Sequence, residues 1–256
     1  GGNYRMIICN SHNFAVTRAQ KTGGASLELY ILQSGLMDFT TDSYALEGGF
    51  STPEEFQAYF DTHADLNYLE NPPTLWGPGL KDAQTTFAEL VSEGQMSADM
   101  PCIGGVRHPL KWLASLFFYA NTRRVYRREQ NIKEHGAPDA LDIYQEQNYS
   151  TPDASWDYVF SEESLSQSTV QTALKPQVDY YPEHAQLFNI ENIHDHACKF
   201  IEDKGGVVPT EKIHIRKSPN DPTYYLENLS EDRKQQTLDA YEKDLLAWEK
   251  AYSVFN

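Results

Sequence analysis

Lys21-Thr22-Gly23-Gly24-Ala25-Ser26 joins a cation, two hydroxyls and two glycines in one short stretch, the makings of a phosphate cradle. The apolar run Phe14-Ala15-Val16-Thr17 leads into it, and Leu27 opens a helical pattern of apolar positions behind it. Strand, glycine loop and helix start together aim unpaired backbone N–H groups at an anion. Gly23 and Gly24 allow the backbone to approach closely, and Lys21 adds a point charge. An ordinary strand-to-helix turn with a surface lysine would spell the same string. A second candidate is Arg107, which follows the apolar run Pro101-Cys102-Ile103-Gly104-Gly105-Val106 and precedes His108-Pro109. Its planar fork suits bidentate contact with phosphate, or equally a structural ion pair. Ser115 is a lone hydroxyl in the apolar helix that follows, where a bond back to its own helix is the plainer role. Arg123, Arg124, Arg127, Arg128 and Lys133 form a third basic group. They read as a solvated helix face or as an electropositive wall for an acidic cofactor or acceptor.

The elements that must hold these residues alternate between strands and helices. Strands are predicted at Met6 to Cys9, Phe14 to Thr17, Pro101 to Val106, Gln186 to Ile190 and Lys212 to Ile215. Thr52-Pro53-Glu54 and Thr151-Pro152-Asp153 each offer an N-cap hydroxyl, a proline at the first position and an acid in the first turn. Ser230-Glu231-Asp232 opens one long helix with Leu238, Tyr241, Leu245, Leu246 and Trp248 on its apolar side. Pro109 stops a strand and starts a helix. Short apolar strands between helices predict an α/β fold: three layers, α/β/α, with a central, mainly parallel sheet and a P-loop-like nucleotide-binding core. Ligands in such folds sit at the carboxyl ends of the strands, where Lys21 and Arg107 both fall.

Composition narrows the field. The 256 residues are 40% hydrophobic and 12% aromatic, which predicts a single globular domain spanning 1–256. Gly1-Gly2 matches the remnant of a cleaved tag, and a segment removed upstream would leave no trace here. A net charge of −16 argues against a general nucleic-acid binder. No apolar run approaches the roughly 20 residues that span a bilayer, and no secretory signal opens the chain, so the expectation is a soluble, cytoplasmic protein without a membrane span. Cys9, Cys102 and Cys198 are widely spaced, which suits a reducing compartment. His194-Asp195-His196 invites a metal reading, but a spacing of two is awkward on a helix and exposed histidines near a helix start are the simpler expectation.

Two anion sites in one α/β chain suggest a ligand with separated phosphates, and here a family resemblance enters. Lys21 to Leu27 resembles the 5′-phosphosulfate loop of sulfotransferases that use 3′-phosphoadenosine 5′-phosphosulfate. Val106 to Phe117 resembles their 3′-phosphate motif, including the spacing of eight from Arg107 to Ser115. Arg216-Lys217-Ser218 is similar to the late basic loop that reaches the same phosphate. Pro176-Gln177 and Asn189-Ile190-Glu191-Asn192-Ile193 resemble a segment of the carbohydrate-type, Golgi branch. Tyr225, Leu229-Ser230-Glu231 and Tyr241-Glu242-Lys243-Asp244 resemble its C-terminal helix. Two departures stand out. Ala25 occupies a place where family members often carry threonine, and no histidine lies about two dozen residues before Arg107.

The resemblance implies donor contacts from Lys21, Thr22, Gly23, Gly24, Ala25, Ser26, Leu27, Arg107, Ser115, Arg216 and Lys217. It implies adenosine 3′,5′-bisphosphate as the product and no metal requirement. Lys21 would sit at the reacting centre. A base would take the acceptor's proton: Glu47 first, at the distance after the loop lysine that glutamate-based members use, and His63 second. His108 sits beside Arg107, facing the donor or shaping the turn. The acceptor implied is a glycan or another hydroxylated molecule. A P-loop kinase is the rival enzyme, but G-x-x-x-x-G-K-[ST] finds Gln20 where the glycine before the lysine belongs. A nucleotide-binding module without turnover is the rival from outside enzymology.

Overall fold

The computed structural model describes residues 6–19, 22, 24–38, 41–45, 54, 86–213 and 223–256. Two wholly apolar segments, β1 (Met6–Cys9) and β2 (Phe14–Val16), fold back on one another as an antiparallel hairpin with Ile7 opposite Val16 and Cys9 opposite Phe14. Asn13 closes the turn at φ 55°, a left-handed conformation that asparagine tolerates better than most residues. A short strand, β3 (Ser43–Ala45), pairs antiparallel with the outer side of β1. On the other side, β4 (Cys102–Val106) runs parallel to β2, and β5 (Gln186–Asn189) runs parallel to β4. The order is β3-β1-β2-β4-β5. The fold is therefore α/β, with a sheet that is mixed rather than uniform: β1 runs against both neighbours, and the β2-β4-β5 half is parallel.

Strand side chains alternate between two apolar layers, as the pleat requires. Ile7, Cys9, Phe14, Val16, Ile103 and Phe188 meet α1 (Gly24–Gln33) and, further along the chain, the helix Ile193–Asp203. Met6, Ile8, Ala15, Cys102 and Leu187 meet Phe87 and Leu90 of α2 (Phe87–Ser92), together with Tyr180 and Tyr181. Both faces are thus covered, which explains why these strands read as continuous apolar runs. Each side chain of the size of Phe188, fully buried, contributes about 1.5–3 kcal/mol.

Beyond the sheet lies a helical layer built on α3 (Pro109–His135), 27 residues and roughly 40 Å long. Pro109 starts it and Gly136, at φ 79°, ends it. Its buried residues Trp112, Leu113, Leu116 and Phe117 pack with Tyr225 and Tyr241 and with partly buried Trp156, Phe160 and Leu174. Around it stand α4 (Ala140–Asn148), α5 (Pro152–Val159), α6 (Glu162–Leu165) and α7 (Ser168–Ala173). After α8 (Ile193–Asp203) come α9 (Thr223–Asn228), α10 (Glu231–Ala240) and α11 (Glu242–Tyr252). Thr151 caps α5 as its sequence predicts, accepting from the Ala154 N–H at 3.0 Å.

Three expectations need correction. The long helix after Ser230 is two helices, α10 and α11, broken at Tyr241. There the Tyr241 ring packs edge-to-face on Trp112 and its hydroxyl donates to the Leu174 carbonyl at 2.7 Å, holding a backbone that has left the helical region. Leu246, placed on the apolar side, is 58% exposed. Lys212 and Ile213 are irregular rather than strand, and the remainder of that stretch lies outside the described residues. The capped helix expected at Thr52-Pro53 also lies outside them, apart from helical Glu54.

Candidate functional site

The end of β2 delivers Thr17, Arg18 and Ala19 into a buried seam. The Thr17 hydroxyl donates to the Tyr180 carbonyl at 3.2 Å. Arg18 and Glu28 form a buried ion pair, Nη1 to Oε2 at 3.2 Å, which ties the strand end to the first turns of α1. Such a pair persists because each charge without the other would be costly in this seam. Ala19 donates its N–H to the Tyr181 hydroxyl at 3.1 Å, and that hydroxyl donates to the Gly105 carbonyl at 2.6 Å. Burial pushes the Tyr181 phenol well up, so it stays a donor. The loop after β2 is thereby fastened to β4 through one phenol. Gly104 and Gly105 make this possible: a Cβ on Gly104 would collide with the Tyr181 ring, and one on Gly105 with the Thr22 carbonyl oxygen.

The structure brings part of the expected cradle together. Thr22 is fully buried, and its hydroxyl donates to the Ala19 carbonyl at 2.9 Å. That bond engages its proton inside the loop. Gly24 begins α1, Ala25 continues its backbone, and Ser26 is buried in the first turn. Leu27 lies in the core, which leaves only its backbone N–H for an anion. No acid occupies the first turn of α1, where the positive end of the helix dipole lies. Lys21, Gly23, Glu47, His63, Arg216 and Lys217 lie outside the described residues.

Arg107 follows β4, on the strand directly beside β2, with Val16 opposite Ile103 in parallel register. Both strands therefore end at the same edge of the sheet, about 5 Å apart, and each feeds a helix. The Arg107 peptide is held by Gln177, which is fully buried. The Arg107 N–H donates to Gln177 Oε1 at 2.8 Å, and Gln177 Nε2 donates to the Arg107 carbonyl at 2.9 Å. Gln177 is anchored in turn, because the Gln177 and Val178 N–H groups donate to the two Asp244 oxygens at 2.9 and 3.0 Å. Burial raises the Asp244 carboxyl despite those two bonds.

His108 shapes the turn. Its Nδ1 accepts from the Leu110 N–H at 3.3 Å, and its ring stands edge-to-face on Trp248. Burial and the nearby Lys111 lower its pKa, in keeping with a neutral cap. Ser115 is buried on α3, and among the described residues its hydroxyl makes no hydrogen bond, so the expected bond back to its own helix is not formed. No acid occupies the first turn of α3 either.

The basic group on α3 separates on inspection. Arg127 is bound by Asp142 at 2.9 Å and Asp139 at 2.5 Å, and Arg128 by Glu146 at 3.4 Å. Among the described residues Arg124 bonds only the neutral Asn121 carbonyl oxygen, at 3.1 and 3.0 Å. The Arg123 side chain lies outside the described residues. The two histidines expected to be exposed are tied in instead. The Tyr30 hydroxyl and His194 Nδ1 share a hydrogen bond of 2.7 Å, and buried His196 donates from Nε2 to Asn189 Oδ1 at 2.7 Å while stacking on Phe188. Among the described residues no three His, Cys, Asp or Glu side chains gather as a metal site, and no helix is long and apolar enough to cross a membrane.

Sequence reasoning missed Arg18, Glu28 and Tyr181. Glu28, a single acid between Leu27 and Leu29, was the available signal for the first two. Nothing local marked Tyr181 as the link between the loop and β4. Compared with models of known families, with characterised proteins and with solved structures, the chain matches none.

Proposed function

We propose that the chain is a sulfotransferase that moves a sulfuryl group from 3′-phosphoadenosine 5′-phosphosulfate to a hydroxyl or amine of an acceptor, a glycan or a small hydroxylated metabolite. The observation that carries this reading is the pairing of two strand-to-helix junctions on adjacent parallel strands. The loop after β2 and Arg107 after β4 issue from one sheet edge, each at a helix start without an acid in its first turn. Such ends attract anions, and two of them side by side suit a ligand with two phosphate groups. The Ser115 hydroxyl, unbonded among the described residues, fits the same role. Lys21, which lies outside the described residues, takes its part from the resemblance alone, as do Glu47 and His63 as bases and Arg216 and Lys217 as phosphate contacts.

In this reaction the acceptor oxygen or nitrogen attacks sulfur in line. The bond from sulfur to the bridging phosphate oxygen breaks, adenosine bisphosphate leaves with the electron pair, and the acceptor's proton passes to the base. Charge grows on the bridging and leaving oxygens. Lys21 and the N–H groups of the Gly23–Ser26 stretch would stabilise it there, by the electrostatic logic of phosphoryl transfer. A base contributes of order 10²–10⁴-fold. No metal is needed in this scheme.

Calorimetric titration with adenosine 3′,5′-bisphosphate tests the donor site. Binding is expected for the bisphosphate and not for ATP with magnesium, with Lys21→Ala and Arg107→Ala each weakening it at least tenfold. Unchanged binding in both variants, or preference for magnesium ATP, overturns the reading. Bisphosphate binding without transfer of labelled sulfate to any hydroxylated acceptor would instead leave a nucleotide-binding module.

A further inference from the structure

A cavity of about 540 Å³ runs along α3 beyond Ser115, with Leu116, Phe117 and Ala120 on one wall and Tyr149, Tyr158 and Leu174 facing them from the surrounding helices. Its size is within the range of small-molecule sites. Among the described residues it touches neither Arg107 nor the loop after β2, which sets it apart from the described part of the proposed donor site. We infer that it binds a small amphiphilic anion: a flat apolar ring body bearing one carboxylate, sulfate or phosphate group.

The apolar body follows from the walls. Phe117 is almost fully buried, and the Tyr149 and Tyr158 rings meet edge-to-face with centroids 5.6 Å apart. Aromatic walls of this kind hold flat rings by stacking and edge contacts. The anion follows from Arg124, which lines the same cavity. Its neighbours Arg127 and Arg128 are paired with Asp139, Asp142 and Glu146. Arg124 has only the neutral Asn121 oxygen, and among the described residues no carboxylate pairs with it. A partly buried guanidinium without a counter-charge favours an anion arriving from the cavity. The Tyr149 and Tyr158 hydroxyls make no hydrogen bond among the described residues. Burial raises the Tyr149 phenol to about 12, which keeps its proton available for donation. Glu163, the carboxylate that acts on the Tyr158 phenol, accepts from Tyr144.

The test uses 1-naphthoate and its neutral isostere 1-naphthamide, each titrated calorimetrically into the whole chain. Naphthoate is expected to bind about tenfold tighter or better, the increment of a charge-assisted hydrogen bond. Arg124→Gln should erase that difference and leave naphthamide binding intact. Ala120→Phe, which fills the cavity, should abolish binding of both, and Val170→Phe on the facing wall is the substitute if Ala120→Phe does not fold. No binding of either probe, equal affinities in the unmodified chain, or undiminished binding in the filled variant overturns the inference. Bisphosphate binding by Arg124→Gln should be unchanged, so this result stands apart from the fate of the sulfotransferase reading.

Discussion

Replacing Gln177 by leucine attacks the placement of Arg107 without touching its side chain. Leucine nearly matches glutamine in volume but offers no polar atom. The change removes two bonds, at 2.8 and 2.9 Å, that hold the Arg107 N–H and carbonyl. Gln177 is fully buried, so water does not readily replace it. Each stranded backbone group costs about 1–3 kcal/mol. Apolar burial of leucine offsets part of that, which leaves a net loss of about 2–4 kcal/mol, a large share of the stability of an ordinary domain. Urea unfolding reads it directly, and the midpoint should fall by about 1 M or more at the slopes usual for such chains. Calorimetric titration with adenosine 3′,5′-bisphosphate reads the second consequence. With its peptide released, Arg107 pays an ordering cost on binding, and affinity should fall about tenfold, or about 1.4 kcal/mol. An unchanged urea midpoint would refute the energetic role of the Gln177 bridge. A lowered midpoint with unchanged affinity would refute the claim that the bridge positions Arg107 for a ligand.

Two further expectations concern the same framework. Gly105→Ala drives a methyl group into the Thr22 carbonyl oxygen, a backbone atom with little room to yield, and should cost about 1–3 kcal/mol in urea unfolding together with bisphosphate binding; normal values of both would mean that the loop is not pinned against β4. For pH, burial lowers the His196 pKa from its ordinary 6.5, with Lys199 aiding and the Ala251 carbonyl and Asp195 opposing. The unfolded chain then takes up the proton first as pH falls, so this contribution is complete above about 6.5 and is lost below it. Urea midpoints at pH 7.5 and 5.5 should therefore diverge more in the unmodified chain than in His196→Asn, and equal shifts would sink the idea.

Where the sequence was legible, a local signal was strong. β1, β2, β4 and β5 are runs of buried apolar residues, and four of the five predicted strands fall on them. Pro109 and Thr151 marked helix starts because caps act within one turn. β3 escaped because three residues, Ser43–Ala45, carry no periodicity, and it joins the sheet by pairing with β1. The antiparallel course of β1 was equally hidden, since hairpin and crossover strands are both apolar here. In the candidate site, the places of Arg107 after β4 and of Ser115 on α3 were legible from the apolar strand and the proline that follows it. Gln177 was noticed only through the resemblance, and its grip on Arg107 joins residues far apart in the chain. Whether the Thr22 hydroxyl serves a ligand or the loop depends on how the chain turns back towards Ala19, which no local signal shows.

The sheet order also governs the sequence of events by which the chain reaches its native state. The β1–β2 hairpin joins near neighbours and closes at little entropic cost, on the microsecond scale usual for hairpins. The β2–β4 and β4–β5 pairings each close over a stretch of roughly eighty residues. Such long-range contacts form late and slow the overall rate. The edge shared by the loop and Arg107 exists only after both closures, because Tyr181 and Gly105 meet the loop from beyond them. A nascent chain that stops before residue 177 carries the glycine loop and the arginine yet lacks the phenol and the Gln177 bridge that register one against the other. The register between loop and arginine thus emerges late in folding rather than with the most conspicuous motif.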